Sequence, residues 1–325
     1  MAKTILVTGA LGQIGSELTM TLRQHYRDRD VIATDIRMPT DERLRDSGPF
    51  EFLDCTDPNH ITRVMQRFDI GIIYHLGALL SAVSEMKPNV AWQINVNGLY
   101  HILEAARQYK CALFFPSSIG AFGPGTPKER TPQDTIQRPD TMYGITKVTG
   151  ELLCDYYHKK FDVDTRGLRF PGLISYQTEP GGGTTDYAVE IYHEALKHKR
   201  YTCYLRPDTS LDMMYMPDAL RAMIELMEAD GGRLVHRNAF NVTAMSFTPA
   251  QLAREIQKHI PEFGIEYSVD PVRQAIADSW PDSLDDTAAR QEWGWKPRYS
   301  LETMTRDMIA RIAERVGLPQ EQKAR

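Results

Sequence analysis

A glycine-rich turn near the start of the chain most constrains how this sequence can fold. The run at 3–8 is apolar and rich in β-branched residues, which predicts a buried strand. Gly9, Gly12 and Gly15 follow at three-residue spacing, and residues 16–26 have the apolar periodicity of a helix. Glycines let a pyrophosphate approach the backbone, and the helix N-terminus offers free N–H groups to that anion. The pattern predicts a dinucleotide site, although three glycines alone are also typical of a closely packed turn.

A carboxylate follows the second predicted strand. This strand covers 31–34, and Asp35 comes 20 residues after Gly15. An acid at this place accepts hydrogen bonds from the ribose hydroxyls of adenosine and repels a 2′-phosphate, so NAD is favoured over NADP. Arg37 leaves some use of NADP open, because a guanidinium two residues further on could bind that phosphate or stack on the adenine.

Strand and helix patterns alternate through the first half of the chain. Further strands are predicted at 50–53, 70–76, 113–116 and 165–170, and helices at 57–68, 88–109 and 143–161. The run at 70–76 is almost wholly apolar, as in a strand that is buried on both faces. This order predicts an α/β fold with a doubly wound parallel sheet and right-handed crossovers.

The pattern changes after residue 174. A loop rich in glycine, at 180–186, leads into shorter helices and strands. We expect residues 1–174 to form a cofactor-binding domain and residues 175–325 a smaller α/β substrate domain, with 211–235 returning to the first.

Composition and charge argue against several classes of function. The net charge is −5 with both signs interspersed, so we expect no nucleic-acid partner. We also expect no membrane span and no signal peptide, because no apolar run approaches about 20 residues and the first strand begins at once. The cysteines lie far apart, without the spacing of metal ligands, which predicts no metal site and a cytoplasmic location. They are Cys55, Cys111, Cys154 and Cys203.

Residues suited to alcohol oxidation follow the fifth predicted strand. That strand ends in Ser117 and Ser118, and Tyr143 and Lys147 stand on one face at the start of the next helix. The topology brings these groups to the carboxyl edge of the sheet, where open α/β folds bind ligands. A neighbouring ammonium and an oxidised nicotinamide ring lower the pKa of a phenol, so Tyr143 is the candidate base. Ser118 is the serine expected to hold the reacting oxygen, because Ser117 points to the other side of an extended strand.

Jointly, these motifs resemble the extended short-chain dehydrogenase/reductase family, which has a Rossmann-like fold. The matching residues are Thr8, Gly9, Gly12, Gly15, Asp35, Asp54, Asn95, Ser117, Ser118, Tyr143 and Lys147, with the segments 75–78 and 169–172. The resemblance implies NAD as cofactor and a homodimer formed through the helices that start near Pro88 and Tyr143. It also implies that Asn95 holds the long interface helix and that Lys147 binds the nicotinamide ribose. The expected NAD contacts are Gly9, Leu11, Gly12, Gln13, Ile14, Gly15, Asp35, Ile36, Arg37, Asp54, Cys55, Leu76, Gly77, Ala78, Asn95, Ser117, Tyr143, Lys147 and Pro171.

The second half resembles a narrower family, the short-chain L-threonine 3-dehydrogenases. The matching segments are 169–175, 180–188, 278–286 and 293–295. This resemblance implies that the β-hydroxyl of L-threonine is oxidised with NAD to 2-amino-3-oxobutyrate. By this resemblance, Ser81, Thr184, Thr185 and the backbone of Gly183 would donate to the carboxylate of the substrate. Asp186 would attract its ammonium or would instead be the N-cap of the next helix, and Trp280 would close over the pocket or would be an ordinary core aromatic. The residues that the resemblance places around the amino acid are Ser81, Ser118, Tyr143, Gly183, Thr184, Thr185, Asp186 and Trp280.

Two other functions stay open on the sequence. A nucleotide-sugar epimerase or dehydratase has the same first domain, and Arg206 could bind the second pyrophosphate of its substrate. A regulator that binds NAD without catalysis has the same nucleotide site, but it does not need the set of Ser118, Tyr143 and Lys147.

Overall fold

The computed structural model describes residues 4–26, 30–178 and 183–317, so Lys3 of the first predicted strand lies outside the described residues. The strands in chain order are β1 (Thr4–Thr8), β2 (Val31–Asp35), β3 (Phe50–Phe52), β4 (Ile70–His75), β5 (Ala112–Ser118), β6 (Thr165–Phe170), β7 (Gly172–Ile174), β8 (Arg200–Cys203), β9 (Leu211–Tyr215), β10 (Phe240–Asn241), β11 (Met245–Phe247) and β12 (Gly264–Tyr267).

The helices surround these strands. They are α1 (Gln13–His25), α2 (Glu42–Asp46), α3 (Pro58–Arg67), α4 (Ser81–Met86), α5 (Pro88–Trp92), α6 (Leu99–Tyr109), α7 (Met142–Phe161), α8 (Tyr187–His198), α9 (Met216–Glu228), α10 (Pro249–Gln257), α11 (Pro271–Ser279), α12 (Thr287–Trp293) and α13 (Leu301–Arg315). A π-helical segment, Gln93–Gly98, joins α5 to α6 within the long helix predicted at 88–109. Across the three described ranges, no helix has both the length and the apolar character needed to cross a bilayer.

Seven strands form one parallel sheet in the order β10-β6-β5-β4-β1-β2-β3. The chain begins in the middle of the sheet at β1, runs outward to β3, and then crosses back to β4 and on to β6. The reversal between β1 and β4 opens a crevice at the carboxyl ends of these strands, where such folds bind ligands. The predicted doubly wound α/β fold is confirmed.

Apolar layers cover both faces of this sheet. Ile5 and Val7 of β1 pack in one layer with α1 and α9, whereas Leu6 packs in the opposite layer with α3, α6 and α7. Successive side chains of a strand point to opposite faces, so every second residue of β1 enters the same layer. The sheet is thus buried on both sides, and its carboxyl edge stays open to ligands.

The second half of the chain forms two smaller sheets. In one, β9 pairs with β7 in parallel and with β11 in antiparallel orientation; in the other, β8 pairs with β12. The chain also returns to the main sheet, because α9 shares the apolar layer of α1 and β10 pairs with β6. The division into domains at residue 174 stays a prediction.

Candidate active site

The glycine-rich turn after β1 is packed against the loop that follows β4. Gly9 has a φ of +68°, a conformation that residues with a Cβ rarely adopt. A Cβ on Gly9 would lie 2.7 Å from the nitrogen of Gly77, and a Cβ on Gly15 would lie 2.1 Å from the oxygen of Gly9. α1 begins at Gln13, earlier than predicted, so Gly15 lies in its first turn. The glycines therefore allow a closely packed turn at the start of a helix.

The carboxylate of Asp35 fastens this turn to the end of β2. One oxygen accepts the N–H of Leu11 at 3.0 Å, and the other accepts the N–H of Ile36 at 2.8 Å. Asp35 lines a cavity of about 680 Å³, within the roughly 300–1,000 Å³ that is typical of small-molecule sites. Other predicted cofactor contacts that line this cavity are Gly9, Gly12, Ile36, Arg37, Asp54, Cys55, Leu76, Gly77 and Ala78.

A second cavity, of about 170 Å³, adjoins the first, because Leu76 and Ala78 line both. The structure brings together here all the residues predicted to surround the substrate, which are Ser81, Ser118, Tyr143, Gly183, Thr184, Thr185, Asp186 and Trp280. Gln13, Ile14, Ser117, Lys147 and Pro171, predicted to contact the cofactor, also line it. Leu11, Gly15 and Asn95 are not among the described residues that line either cavity. All of the predicted cofactor contacts stay predictions.

Asn95 instead connects two parts of the site. Its Oδ1 accepts the N–H of Leu79 at 2.8 Å, and its Nδ2 donates to the oxygen of Leu79 and to Oγ1 of Thr146, both at 3.1 Å. Asn95 lies in the π-helical segment, and its side chain bonds both the loop after β4 and α7. This arrangement fixes the wall that the two cavities share.

The start of α7 places Tyr143 beside Ser118. Thr141 caps the helix, since its Oγ1 accepts the N–H of Gly144 at 3.1 Å. A Cβ on Gly120 would lie 3.1 Å from Cδ1 of Tyr143 and 3.5 Å from Oγ of Ser118. Ser118 and the ring of Tyr143 therefore lie next to each other beside Gly120, which has no Cβ to crowd either side chain.

Lys147 lies one turn further along α7 and is buried. Its Nζ donates to the oxygen of Pro116 at 2.6 Å and lies 5.4 Å from the centre of the Tyr143 ring. Burial lowers the pKa of Lys147 to about 8, while the negative charge of Glu151 raises it. The ammonium is thus held between the end of β5 and the phenol.

Tyr143 is half-buried in the cavity wall, and burial affects its acidity. Burial raises the pKa of Tyr143 to about 12, and a hydrogen bond with Ser118 acts in the lowering direction. The sequence predicts that the neighbouring ammonium and an oxidised nicotinamide ring together lower this pKa, and in the protein alone the loss of water around the phenol raises it. A phenolate at neutral pH therefore requires a further positive charge near the ring.

Ser117 faces the opposite side of β5, as strand alternation predicts. Its hydroxyl donates to the carboxylate of Glu151, which also accepts Nη2 of Arg169 at 2.8 Å. All three residues are buried. The sequence-based prediction assigns no role to Glu151, although its place four residues after Lys147 puts it on the same helix face.

For Asp186 and Trp280, the sequence leaves open a role at the substrate and a structural role. Asp186 stands at the N-cap position of α8, but its carboxylate makes no capping bond there and accepts the N–H of Gly183 at 2.7 Å. That N–H, expected to bind a substrate carboxylate, is therefore already used. Trp280 belongs to the apolar core of the second half and also lines the small cavity, and its closing over the pocket stays a prediction.

Known proteins resemble this chain over nearly its whole length. The family model of the NAD dependent epimerase/dehydratase family matches residues 5–242. An uncharacterized epimerase/dehydratase of Staphylococcus haemolyticus is 56% identical over 311 residues, which are 96% of this chain and 98% of that protein. The X-ray structure of L-threonine dehydrogenase from Clostridium difficile has 59% identity and a TM-score of 0.95, covering 96% of this chain and 98% of that one. A monomeric L-threonine 3-dehydrogenase from a metagenome has 45% identity and a TM-score of 0.91, covering 96% and 99%.

Proposed function

This chain belongs to the NAD dependent epimerase/dehydratase family, and we propose that it oxidises the β-hydroxyl of L-threonine with NAD to give 2-amino-3-oxobutyrate. The observation that carries the proposal is the cavity of about 170 Å³ that holds Ser118, Tyr143 and Asp186 together. Sites for drug-sized ligands have roughly 300–1,000 Å³, so this cavity suits a free amino acid better than a nucleotide sugar. The likeness to L-threonine dehydrogenases supports the same substrate.

The residues around the larger cavity fit NAD. Gly12 occupies the N-cap position of α1 and has no side chain with which to cap it, so the first N–H groups of the helix are available to a pyrophosphate. Each carboxylate oxygen of Asp35 accepts one backbone N–H and keeps a lone pair for a ribose hydroxyl. A 2′-phosphate would meet this negative charge, which favours NAD over NADP. When bound, the oxidised nicotinamide supplies the hydride acceptor and a positive charge.

The walls of the small cavity suit a zwitterion. The hydroxyls of Ser81, Thr184 and Thr185 can donate hydrogen bonds to a carboxylate, and the carboxylate of Asp186 attracts an ammonium. Trp280, only 7% exposed, covers one side and keeps water out. These groups orient the amino acid with its hydroxyl towards Tyr143.

Residues on α7 and β5 carry out the proton transfer. The phenolate of Tyr143 accepts the proton of the β-hydroxyl of the substrate. The β-carbon loses hydride at the same time. Ser118 hydrogen-bonds the same oxygen and holds it in line. Lys147 stays charged below pH of about 8 and, with the positive ring, favours the phenolate that burial alone disfavours.

One observation weighs against the nucleotide-sugar alternative. Arg206, the candidate for a second pyrophosphate, donates to the carboxylate of Asp278 through Nη1 at 3.2 Å and Nη2 at 2.9 Å. It is not among the described residues that line the two cavities. The guanidinium therefore carries a structural ion pair outside the proposed site.

The direct test mixes the purified protein with NAD and L-threonine and follows NADH by its absorbance. We expect NADH to form with L-threonine and no turnover of a UDP-sugar. Conversion of a UDP-sugar without oxidation of threonine would contradict the proposed substrate.

The variant Tyr143→Phe removes only the phenolic oxygen. We expect kcat to fall by about 10²–10⁴-fold, as for other acid–base groups, while the affinity for NAD, measured by calorimetry, stays within about twofold. Tyr267→Phe is the matched control, because Tyr267 lies on β12 and is not among the described residues that line either cavity. Unchanged activity of Tyr143→Phe would exclude this tyrosine as the base, and binding of NAD without any oxidation by the wild type would favour the regulator.

We also propose a homodimer in the cytoplasm. Large side chains on α5, α6 and α7 are partly exposed, and apolar faces of this kind usually pack against another surface. They are Trp92, Tyr100, Ile145, Leu152 and Tyr156. The four cysteines are free thiols, which is typical of proteins from a reducing compartment.

A further inference from the structure

Three residues of α7, one turn apart, hold the end of β5. Tyr143 meets Ser118, Lys147 donates to the oxygen of Pro116, and Glu151 accepts the hydroxyl of Ser117. Residues spaced by four share one helix face, so the three contacts form a row along the strand end. The proposed chemistry uses the first two α7 residues and leaves the third, Glu151, without a role.

Donors surround the Glu151 carboxylate in the protein interior. Arg169 donates through Nε to Oε1 at 3.0 Å and through Nη2 to Oε2 at 2.8 Å, and Nε2 of Gln137 donates to Oε2 at 2.8 Å. Arg169 is also the partner of Ser117 in the β5–β6 ladder. One buried carboxylate thus joins α7, both strands and the segment that carries Gln137.

The titratable groups around Lys147 come from three elements. On α7 they are Tyr143 and Glu151, and on β4 it is His75; Arg169 on β6 contacts Glu151. Burial lowers the pKa of His75 to about 3 and raises that of Tyr143 to about 12, so both are neutral at pH 7. Glu151 is therefore the negative charge that balances two buried cations, Lys147 and Arg169.

We propose that Glu151 is a positioning residue of the active site, which holds the Ser117–Ser118 end of β5 against α7 and supplies the buried negative charge that balances Lys147. It acts through its neighbours, because it is not among the described residues that line the cavities. The expected effect of Glu151 on kcat rests on the proposed function, whereas its effect on the charge of Lys147 does not.

The variant Glu151→Gln keeps the shape of the side chain and removes its charge. We expect the pKa of Lys147, followed by NMR of lysine labelled at Cε in the ligand-free protein, to fall by about one unit, because a nearby opposite charge is lost. Lys147→Met identifies the signal. The pH profile of kcat should move to lower pH by a similar amount, since loss of a negative charge lowers the pKa of both Lys147 and Tyr143.

The matched control is Asp164→Asn, which breaks the ion pair with Arg166 at the other end of β6. It should lower the melting temperature without moving the Lys147 titration. A Glu151→Gln protein that is less stable or slower, but has an unmoved titration, would overturn the proposal. If threonine is not the substrate, the NMR titration of Lys147 still tests the role of Glu151. Failure of the proposed function and failure of this inference therefore give different results.

A second variant covers the case in which Glu151→Gln does not fold. Arg169→Gln removes the cation that pairs with Glu151, which keeps its hydrogen bonds with Ser117 and Gln137. Glu151 then balances Lys147 more strongly, so the Lys147 titration should move to higher pH. No movement, or movement to lower pH, would show that Glu151 does not set the charge of Lys147.

Discussion

At the scale of single residues, positions without a side chain shape the cofactor site. Gly15→Ala would place a Cβ 2.1 Å from the oxygen of Gly9, so the turn or α1 must shift. We expect this variant to bind NAD at least about tenfold more weakly and to lose roughly 1–3 kcal/mol of stability, as for other overpacked sites. Calorimetry and urea unfolding measure the two effects.

Gly125→Ala is the control for this prediction, because no atom lies within 4 Å of a Cβ built there. It should leave NAD affinity and stability unchanged. Equal effects of the two substitutions would show that the close packing around Gly15 is not what the NAD site requires.

Glu17 of α1 predicts a pH dependence of stability. Burial raises the pKa of Glu17 from 4.5 to about 7, although the hydroxyl of Ser175 donates to its Oε1 at 2.5 Å. Since the folded-state pKa is raised, the contribution of this group to stability is complete below pH 4.5 and is lost as the pH rises through 7. Glu17→Gln has no such proton to lose. When the pH is raised from 5 to 8, the free energy of unfolding of Glu17→Gln should increase by on the order of 1–3 kcal/mol relative to that of the wild type.

Urea unfolding at the two pH values tests this effect of Glu17. Glu42→Gln is the control, because its side chain is 80% exposed. A wild-type protein and a Glu17→Gln protein with the same pH dependence would contradict the prediction.

The sequence predicts individual site residues when spacing alone determines their place. Asp35 and the Tyr143–Lys147 pair are of this kind, because each occurs at a fixed distance from a strand end or on a helix face. The use of the Gly183 N–H by Asp186 depends on contacts between loops, which spacing does not encode. The raised pKa of Tyr143 likewise depends on how much water the fold removes from the phenol.

At the scale of elements, the cap of α7 connects stability with catalysis. Thr141→Ala removes the side-chain oxygen that accepts the N–H of Gly144, one residue after Tyr143. We expect a loss of about 1 kcal/mol in stability, typical of an N-cap, and a lower kcat because the first helical turn holds Tyr143, the proposed base. Thermal unfolding and steady-state kinetics measure both.

Thr248→Ala is the matched control at the N-terminus of α10, where Thr248 forms a capping box with Gln251. It should cost a similar amount of stability and leave kcat unchanged. A normal kcat for Thr141→Ala would show that the α7 cap does not position Tyr143.

Elements with a sustained apolar pattern could be predicted, whereas the short helices α2 and α4 could not. The predicted β4 and α7 agree closely with Ile70–His75 and Met142–Phe161, because each has a sustained apolar pattern. The helices α2 and α4 have five and six residues, too few to display a helical period. α2 depends on a local bond instead, in which Asp41 accepts the N–H of Arg43.

At the scale of the whole molecule, the exposed face of α6 and α7 predicts the assembly. Leu152 is 63% exposed in the single chain, so Leu152→Glu should leave the fold intact and prevent a second copy from packing there. We expect the wild type to sediment as a dimer and this variant as a monomer.

Val235→Glu is the control for the assembly, since Val235 is 80% exposed and lies outside this face. It should remain a dimer. A monomeric wild type would contradict the proposed assembly and match the state named for the metagenomic relative.

The order of elements determines the fold class, but it does not predict every strand of the sheet. Alternating strands and helices lead to a parallel sheet, because crossovers must be right-handed and cover both faces. β10 joins this sheet through only two residues, Phe240 and Asn241, after an excursion through the second half. Neither the length nor the composition of that segment distinguishes it from a strand of the smaller sheets.

All four cysteines are buried in the folded protein, which makes them natural reporters of its opening. Cys111 and Cys154 lie in the apolar layer beneath α6 and α7, whereas Cys203 lies in the apolar core of the second half. An alkylating reagent reaches such a thiol only while the surrounding structure is transiently open. The relative labelling rates of these cysteines therefore reveal whether the two halves of the chain open together or one at a time.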